Sequence, residues 1–426
     1  MIRAIKYARK ATNFLLENSL FLIIGAVGSL IWTNIDFQSY KHLLHVGHWE
    51  NEWLGMLIPG DTPGEFVKFA NGNFKKVFDL HYFVNDILMA LFFAIAGKEV
   101  FEATLPGGPL SNPRKAATPL IATIGGMAGP VLFYIGGAMY LGKMAILSNG
   151  WAIPCATDIA FSYMVARIVF GAGPPAIPFL LLLAIADDAL GLIILAIFYP
   201  QGPVVMWWML LPVLAIAIAL FLKKQKVHSF WPYLLGPGLI SWFGFTQSGL
   251  HPALGLLPII PTLPHAAEDA GLFNWKELDK HDTLNEFEHW WKNPVELVLG
   301  AFGLLNAGVV FSAVGDATWL VLIGLLVGKP LGIWICAMFA AKTLKFGLPE
   351  GMNGKDVWVL GCAAGIGFTV ALFVAGVAFP GGPIQDAAKM GALASFSAAI
   401  ITFIFAAVLG IKKVHAVAED SDDAHH

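Results

Sequence analysis

The chain has 426 residues, of which 57% are hydrophobic and only 13% charged, with a mean hydropathy of +0.69, values that belong to a polytopic membrane protein. Its formal net charge is only −3, with basic residues at segment ends rather than in a patch, so no nucleic-acid partner is expected. The cysteines Cys155, Cys336 and Cys362 are odd in number and lie in apolar segments, which argues against a disulfide framework or a metal cluster and for small packing residues.

Arg3, Lys6, Arg9 and Lys10 precede a first apolar run from about residue 14 to 32. No small-residue cleavage site follows, so a retained span is expected rather than a signal peptide. The connection from about 34 to 79 is too polar and too rich in Gly and Pro to cross a bilayer. Within it His42, His45 and His48 recur at intervals of three, which on a helix would line one face and could collect a metal ion, but the sequence shows no carboxylate that completes a recognisable ligand set. An amphipathic interfacial segment with scattered imidazoles is the plainer expectation.

Further apolar runs follow at about 82–101, 117–141, 151–170, 177–199, 204–222, 231–246 and a short 251–260; after a polar loop come 294–314, 318–340, 357–379 and 388–409, making twelve spans in all. An even count puts both ends on one side. In that count Arg3–Lys10, Arg114–Lys115, Arg167, Lys223–Lys226, Lys342–Lys345 and Lys412–Lys413 share a face, while short loops such as 201–203 and 313–316 hold no Lys or Arg. The positive-inside rule then assigns both termini to the cytoplasm. The end of the chain, 414–426, is acidic and is expected to be a solvated tail.

Ionisable groups inside the runs carry the functional signal. Asp187 and Asp188 sit in Leu183-Ala184-Ile185-Ala186-Asp187-Asp188-Ala189-Leu190-Gly191; Asp158 sits in Ala156-Thr157-Asp158-Ile159-Ala160-Phe161 and Lys329 in Gly328-Lys329-Pro330-Leu331-Gly332. Isolated at mid-membrane, the four would cost roughly 10–14 kcal/mol together, so they are expected to meet one another or a water-filled cavity. Adjacent positions on a helix differ by about 100°, so Asp187 and Asp188 are expected to serve different duties, one facing a cavity and one a partner charge. Asp86 and Glu99 lie in the second run, whereas Glu17, Glu296 and Lys389 are expected close enough to span ends to be wetted.

Pro154 and Thr157 beside Asp158, and Gly365 and Gly367 in Gly361-Cys362-Ala363-Ala364-Gly365-Ile366-Gly367-Phe368-Thr369, predict interrupted helices in spans 4 and 11, which a membrane tolerates where open backbone lines a cavity or is buried in protein. The alternative for the glycines is close helix packing. The third run contains Ile124-Gly125-Gly126-Met127-Ala128-Gly129-Pro130 and the tenth Leu325-Leu326-Val327-Gly328-Lys329-Pro330, each a glycine turn before a proline. Spans 3–5 and 10–12 are therefore expected to be inverted repeats, as in many secondary transporters.

Taken together and in this order, the four motifs around Asp158, Asp187-Asp188, Lys329 and Gly365-Ile366-Gly367 resemble the NhaA family of bacterial sodium/proton antiporters, from about residue 85 to 413. The resemblance implies an all-α polytopic fold of about twelve spans in one domain, 1–413, with spans 4 and 11 broken and crossing near the midplane. It implies that Asp158 complements positive helix ends and Lys329 negative ones. It implies Asp188 as the cation-binding carboxylate with Asp158 and Thr157 close by, so that sodium would be held by Asp188 and Asp158, and Asp187 as the partner of Lys329 in proton coupling. Glu99, His251 and the acidic-His pair Glu288-His289 match positions associated with pH sensing, although Phe101 and Ala103 lack the charges the family carries there. The segment 47–76 is longer than the family's dimerising hairpin; a homodimer in the bacterial inner membrane is expected, with the lipid bilayer, sodium or lithium ions and protons as its partners and no cofactor.

The implied activity is electrogenic exchange of sodium for more than one proton, the two competing for buried carboxylates, and not an enzymatic reaction. A sodium-coupled symporter of an organic anion on the same fold is the alternative, against which the acidic site speaks. An intramembrane aspartyl protease would leave Lys329 without a role, and a channel would not need a carboxylate–lysine pair.

Overall fold

The computed structural model describes residues 19–60, 65–171, 175–265, 282–411 and 413, with 113–115 described by backbone only. The expected acidic tail, Arg3–Lys10 and Glu17 lie outside the described residues. The described residues are mostly helical. Among the described residues six helices are long and apolar enough to cross a membrane, and eight spans result if two bent helix pairs are each taken as one.

The first described helix, α1 (Leu20–Ile35), lies along α10 (Thr283–Asn306). The contact is backbone to backbone: a Cβ on Gly25 would stand 2.1 Å from the Gly300 carbonyl oxygen. After α2 (Phe37–Leu44) the connection expected to be merely polar folds into a small antiparallel sheet of β1 (Trp49–Asn51), β2 (Met56–Leu57) and β3 (Lys76–Phe78), with β3 in the middle. The fold is still that of an all-α membrane protein, and this sheet, with strands of two or three residues, is a local addition that hydropathy alone does not reveal. Only His42 of the three spaced histidines lies within α2; His45 ends it and His48 follows in a turn. The structure also supplies the carboxylate that the linear sequence lacked, since Asp79, just beyond β3, reaches His45.

The second span α3 (Leu80–Thr104) opens under an Asp79 cap, whose Oδ1 accepts from the Tyr82 N–H at 2.8 Å, and passes through a π turn at Phe83–Leu88. Then come α4 (Pro113–Tyr140), the bent pair α5 (Met144–Cys155) and α6 (Ile159–Phe170), α7 (Ala176–Phe198) and α8 (Met206–Lys224). A turn at Trp231–Tyr233 and a π turn at Leu234–Gly238 run into α9 (Leu239–Ser248). The run at 251–260, counted as a span on hydropathy, forms two short 3₁₀ segments, Pro252–Leu254 and Leu257–Thr262. At about 2 Å per residue such segments are too short to cross a hydrocarbon core about 30 Å thick.

α10 begins at Thr283 because Asp282 caps it, accepting from the Asn285 N–H at 2.8 Å. The expected start at 294 was a hydropathy boundary rather than a helix boundary. Glu296 consequently lies well inside a helix, half-buried, with Oε1 accepting from the Ser19 hydroxyl at 3.0 Å. The chain continues through α11 (Asp316–Thr343), the bent pair α12 (Gly354–Ala364) and α13 (Phe368–Ala378), and α14 (Pro383–Leu409). Lys389, expected to be wetted, is buried in α14, which starts six residues before it.

The most intimate packing is α4 on α11, where Gly125 and Gly129 face Gly328 and Gly332. A Cβ on Gly129 would sit 2.1 Å from the Gly328 carbonyl oxygen, and one on Gly332 would sit 2.0 Å from the Gly125 carbonyl oxygen. In a bilayer, where lipid tails are as apolar as Leu, small residues drive association by letting backbones touch. The two glycine–proline motifs noted as a repeat are thus each other's packing surface, and Lys329 enters the core from it, directly after a π turn at Gly324–Gly328.

Candidate functional site: two broken helices and a row of buried charges

The pairs α5/α6 and α12/α13 bend by 52° and 51°, and their breaks touch: the Asp158 N–H donates to the Ile366 carbonyl at 2.7 Å. Gly365 and Gly367 both have negative φ, so their value lies in space and not in a left-handed backbone. A Cβ on Gly365 would meet the Leu325 carbonyl oxygen at 2.7 Å, and one on Gly367 the Ala156 carbonyl oxygen at 3.0 Å.

Each break exposes helix ends, and a helix end carries roughly half a unit charge. Asp158 stands at both positive ends. Its Oδ1 accepts from the Phe161 N–H at 3.4 Å, at the start of α6; its Oδ2 accepts from the Thr369 N–H at 3.2 Å and from the Thr369 hydroxyl, at the start of α13. The opposite ends are met by donors. Lys329 Nζ donates to the Cys155 carbonyl that closes α5, the Ser162 hydroxyl donates to the Ala363 carbonyl at 2.9 Å, and the Thr157 hydroxyl lies 3.3 Å from the Ala364 carbonyl near the end of α12.

Lys329 has no solvent exposure and also donates to Asp187 Oδ2 at 2.8 Å; the same oxygen accepts from the Thr157 hydroxyl at 2.7 Å. Asp187 Oδ1 has no hydrogen-bond partner among the described residues. One position on, Asp188 is half-buried, makes no hydrogen bond to a described residue, and lines a cavity of about 40 Å³ together with Asp187, Ala156, Phe92, Tyr199 and Val374. A water needs about 10–15 Å³ on this measure, so the cavity has room for about three waters, or for an ion with part of its hydration. Asp158, Asp187 and Asp188 do not converge as a closed three-carboxylate cluster. Hard monovalent ions take oxygen ligands, which here would be a carboxylate, backbone carbonyls and water, as for the better-known hard divalent cations.

Of the residues matched to pH sensing, Glu288 is drawn into an ion cluster. Lys98 Nζ pairs with Glu102 at 2.5 Å and with Glu288. Glu99 is half-buried on the same helix, whereas His289 is exposed. His251 belongs to another group, in which its Nδ1 lies 3.5 Å from Asp86 Oδ1 and Gln201 Nε2 donates to that oxygen at 3.1 Å. Lys98, Glu102, Thr369 and Ser162 went unmarked in the sequence. The i,i+4 spacing of Lys98 and Glu102 was the signal available for the first two; hydroxyls in apolar helices gave none for the others.

Residues 12–406 match the family model described as Na+/H+ antiporter 1. The chain is 52% identical to the Na(+)/H(+) antiporter NhaA of Jannaschia sp. (strain CCS1), over 94% of this chain and 98% of that one. It is 45% identical to the antiporter of the same name in Desulfitobacterium hafniense (strain DSM 10664 / DCB-2) and 44% identical to that of Geotalea uraniireducens (strain Rf4), each over 95% of this chain and 98% of the relative.

Proposed function

The chain belongs to the Na+/H+ antiporter 1 family, and from that premise we propose that it exports sodium, and lithium, in exchange for more than one proton across the bacterial inner membrane. It is a multi-pass membrane protein of the NhaA sodium/proton antiporter family, whose relatives are named as antiporters. In fuller form the proposal has twelve crossings in one domain, the eighth made by the short 3₁₀ segments at Pro252–Thr262 only together with the residues that flank them, spans 3–5 and 10–12 related as inverted repeats, both termini in the cytoplasm where the loop lysines and arginines gather, and a homodimer.

Asp188 is the carboxylate at which sodium and proton compete. The single observation that carries this is its lack of any hydrogen bond to a described residue while it lines a cavity with Asp187, whose Oδ1 is also unpartnered. A carboxylate held by fixed donors is committed to them; a carboxylate facing a small cavity is free to exchange its partner. Asp158, its oxygens held at the two helix starts, and Thr157, bonded to Asp187, lend field to the ion rather than free ligand atoms, and Asp187 gives up a further proton in step with Lys329. Competition for one site makes an exchanger without added machinery, provided the cavity opens to one side at a time. An organic anion is poorly served by a cavity of about 40 Å³ with two carboxylates in its wall. The cluster of Lys98, Glu102 and Glu288, with Glu99 beside it, and the Asp86–His251 group are the candidates for pH response.

The test is purified protein in liposomes loaded with a pH dye and challenged in turn with sodium, lithium and potassium. Sodium and lithium should move protons and potassium should not. No response to any cation from about pH 6 to 9, a window wide enough for a perturbed carboxylate, would end the antiporter reading.

A further inference from the structure

Away from the exchange site, the loop between the first two spans brings His45, His48 and Asp79 together so that one ligand atom from each lies within 4.8 Å of the others. We propose that these three residues form a binding site for a transition-metal ion of the zinc class.

Four observations support it. Tetrahedral zinc holds nitrogen and oxygen ligands at about 2.0–2.1 Å, which places neighbouring ligand atoms about 3.4 Å apart. His45 Nδ1 and Asp79 Oδ2 already stand 3.1 Å apart, close to one edge of that tetrahedron. Asp79 is oriented for one bond only, because its side chain is 2% exposed and its Oδ1 is taken by the Tyr82 N–H at 2.8 Å, leaving Oδ2 turned toward the histidines. Such a fixed outer contact is what orients a metal-ligating carboxylate. His48, by contrast, is half exposed and has only a 3.7 Å approach to Glu50 Oε1, so it is free to close the remaining distance. The fourth position falls to water or to Glu50, whose carboxylate is otherwise paired with Lys75.

The ligand chemistry selects the ion. Two imidazoles and one carboxylate suit zinc, copper or nickel, while calcium and magnesium want oxygen sets. The placement gives the site a structural consequence. Asp79 caps α3, the span that carries Asp86, Lys98 and Glu99, while His45 ends α2 and His48 leads into β1. A bound ion would tie the loop's helix and sheet to the entrance of that span.

The experiment uses the full chain in detergent, stripped with a chelator and titrated by calorimetry with zinc and, separately, with calcium, beside His45→Gln, His48→Gln, Asp79→Asn and, as control, His42→Gln. Asp79→Asn keeps an oxygen to cap α3 and so tests ligation apart from folding; His48→Gln alters an exposed turn and leaves the fold intact. The parent should bind one zinc per chain more than each of the three variants, or bind it at least about tenfold more tightly, since even second-sphere losses cost that much. His42→Gln should match the parent, and X-ray absorption at the zinc edge should show two imidazoles. Equal zinc uptake by parent and all three variants, an equal loss in His42→Gln, or calcium bound as tightly as zinc would each overturn the proposal.

Discussion

Lys329 and Asp187 form a buried pair whose removal tests the architecture of the site. Replacing Lys329 with Met deletes an ammonium with no solvent exposure, and leaves Asp187 with only the Thr157 hydroxyl at 2.7 Å while its Oδ1 still lacks a partner. Breaking a buried pair by removing one partner costs about 3–5 kcal/mol, because the survivor is an uncompensated charge. The Cys155 carbonyl also loses its donor, and an orphaned buried acceptor costs about 1–3 kcal/mol, so the upper end of the range is expected. Asp187→Asn alone strands the ammonium in the same way, although Cys155 continues to accept from it. Removing both charges together can be nearly neutral. The cycle of Asp187→Asn, Lys329→Met and the double variant, read from unfolding titrations in one detergent at neutral pH, should therefore give a coupling energy at or above about 3 kcal/mol, the upper end of what contacting residues show, with the double variant closer to the parent than either single. Losses that add to within about 0.5 kcal/mol would mean that the two groups do not interact, and the roles given to both would have to be withdrawn.

Asp188→Asn should abolish sodium-dependent proton movement in liposomes, because an amide neither titrates nor neutralises a cation; Asp158→Asn keeps one acceptor oxygen for the two helix starts and loses the charge, and should weaken sodium half-saturation while leaving some transport. Full activity with unchanged half-saturation in Asp188→Asn would refute the assignment. Gly332→Ala, whose Cβ would stand 2.0 Å from the Gly125 carbonyl oxygen, should cost about 3 kcal/mol or prevent folding, whereas Gly136→Ala meets nothing within 4 Å and should be neutral or slightly stabilising; equal melting temperatures would deny the close approach. Burial lowers the Lys76 ammonium to about 8, so the unfolded chain holds the extra proton and stability should rise with pH from about 8 to the ordinary lysine value near 10.5. Lys76→Met should flatten that rise, and an unchanged pH profile would count against the burial of this charge. If more than one proton moves per sodium, each net charge is worth about 2.3 kcal/mol per 100 mV, so an inside-negative potential set with potassium and valinomycin should shift the sodium gradient reached, and an indifferent steady state would indicate electroneutral exchange.

The charged motifs were legible because a charge in an apolar run is expensive and therefore rare; Asp158, Asp187, Asp188 and Lys329 announce themselves by cost. The breaks were legible for a related reason, since Pro154 and the Gly365-Ile366-Gly367 cluster deny helix continuity or open space for a neighbour. Hydropathy could not show where helices start. α10 begins at a polar cap eleven residues before its apolar run, and the run at 251–260 is apolar without being long enough to form a span. Nor could it show the sheet between the first two spans, whose strands are two or three residues long. Asp79 was invisible as a neighbour of His45 because the two are 34 positions apart with that sheet between them. The hydroxyl donors Thr369 and Ser162 were missed since a Thr or Ser in a membrane helix usually bonds within its own turn, and only the crossing of the two breaks turns them outward.

The adjacency of Asp187 and Asp188 is intelligible once the breaks are seen as a fixed electrostatic debt. Two interrupted helices meeting at their breaks present ends of both signs, and Asp158 and Lys329 answer them with full charges. Lys329 is held in place by a backbone-to-backbone helix contact at Gly328 and Gly332, so it cannot swing far, and Asp187 is required beside it to complete the balance. That leaves the next residue, rotated by about 100°, as a carboxylate the scaffold does not use. In the proposed exchange Asp188 changes its partner from proton to ion while every helix end stays compensated. Any second proton must come from a group already in the scaffold, and Asp187 with its unpartnered Oδ1 is the one that also borders the cavity. Coupling beyond one proton per ion thus requires the Lys329 contact to loosen, which ties the stoichiometry of exchange to the same pair whose energetics the double-mutant cycle measures.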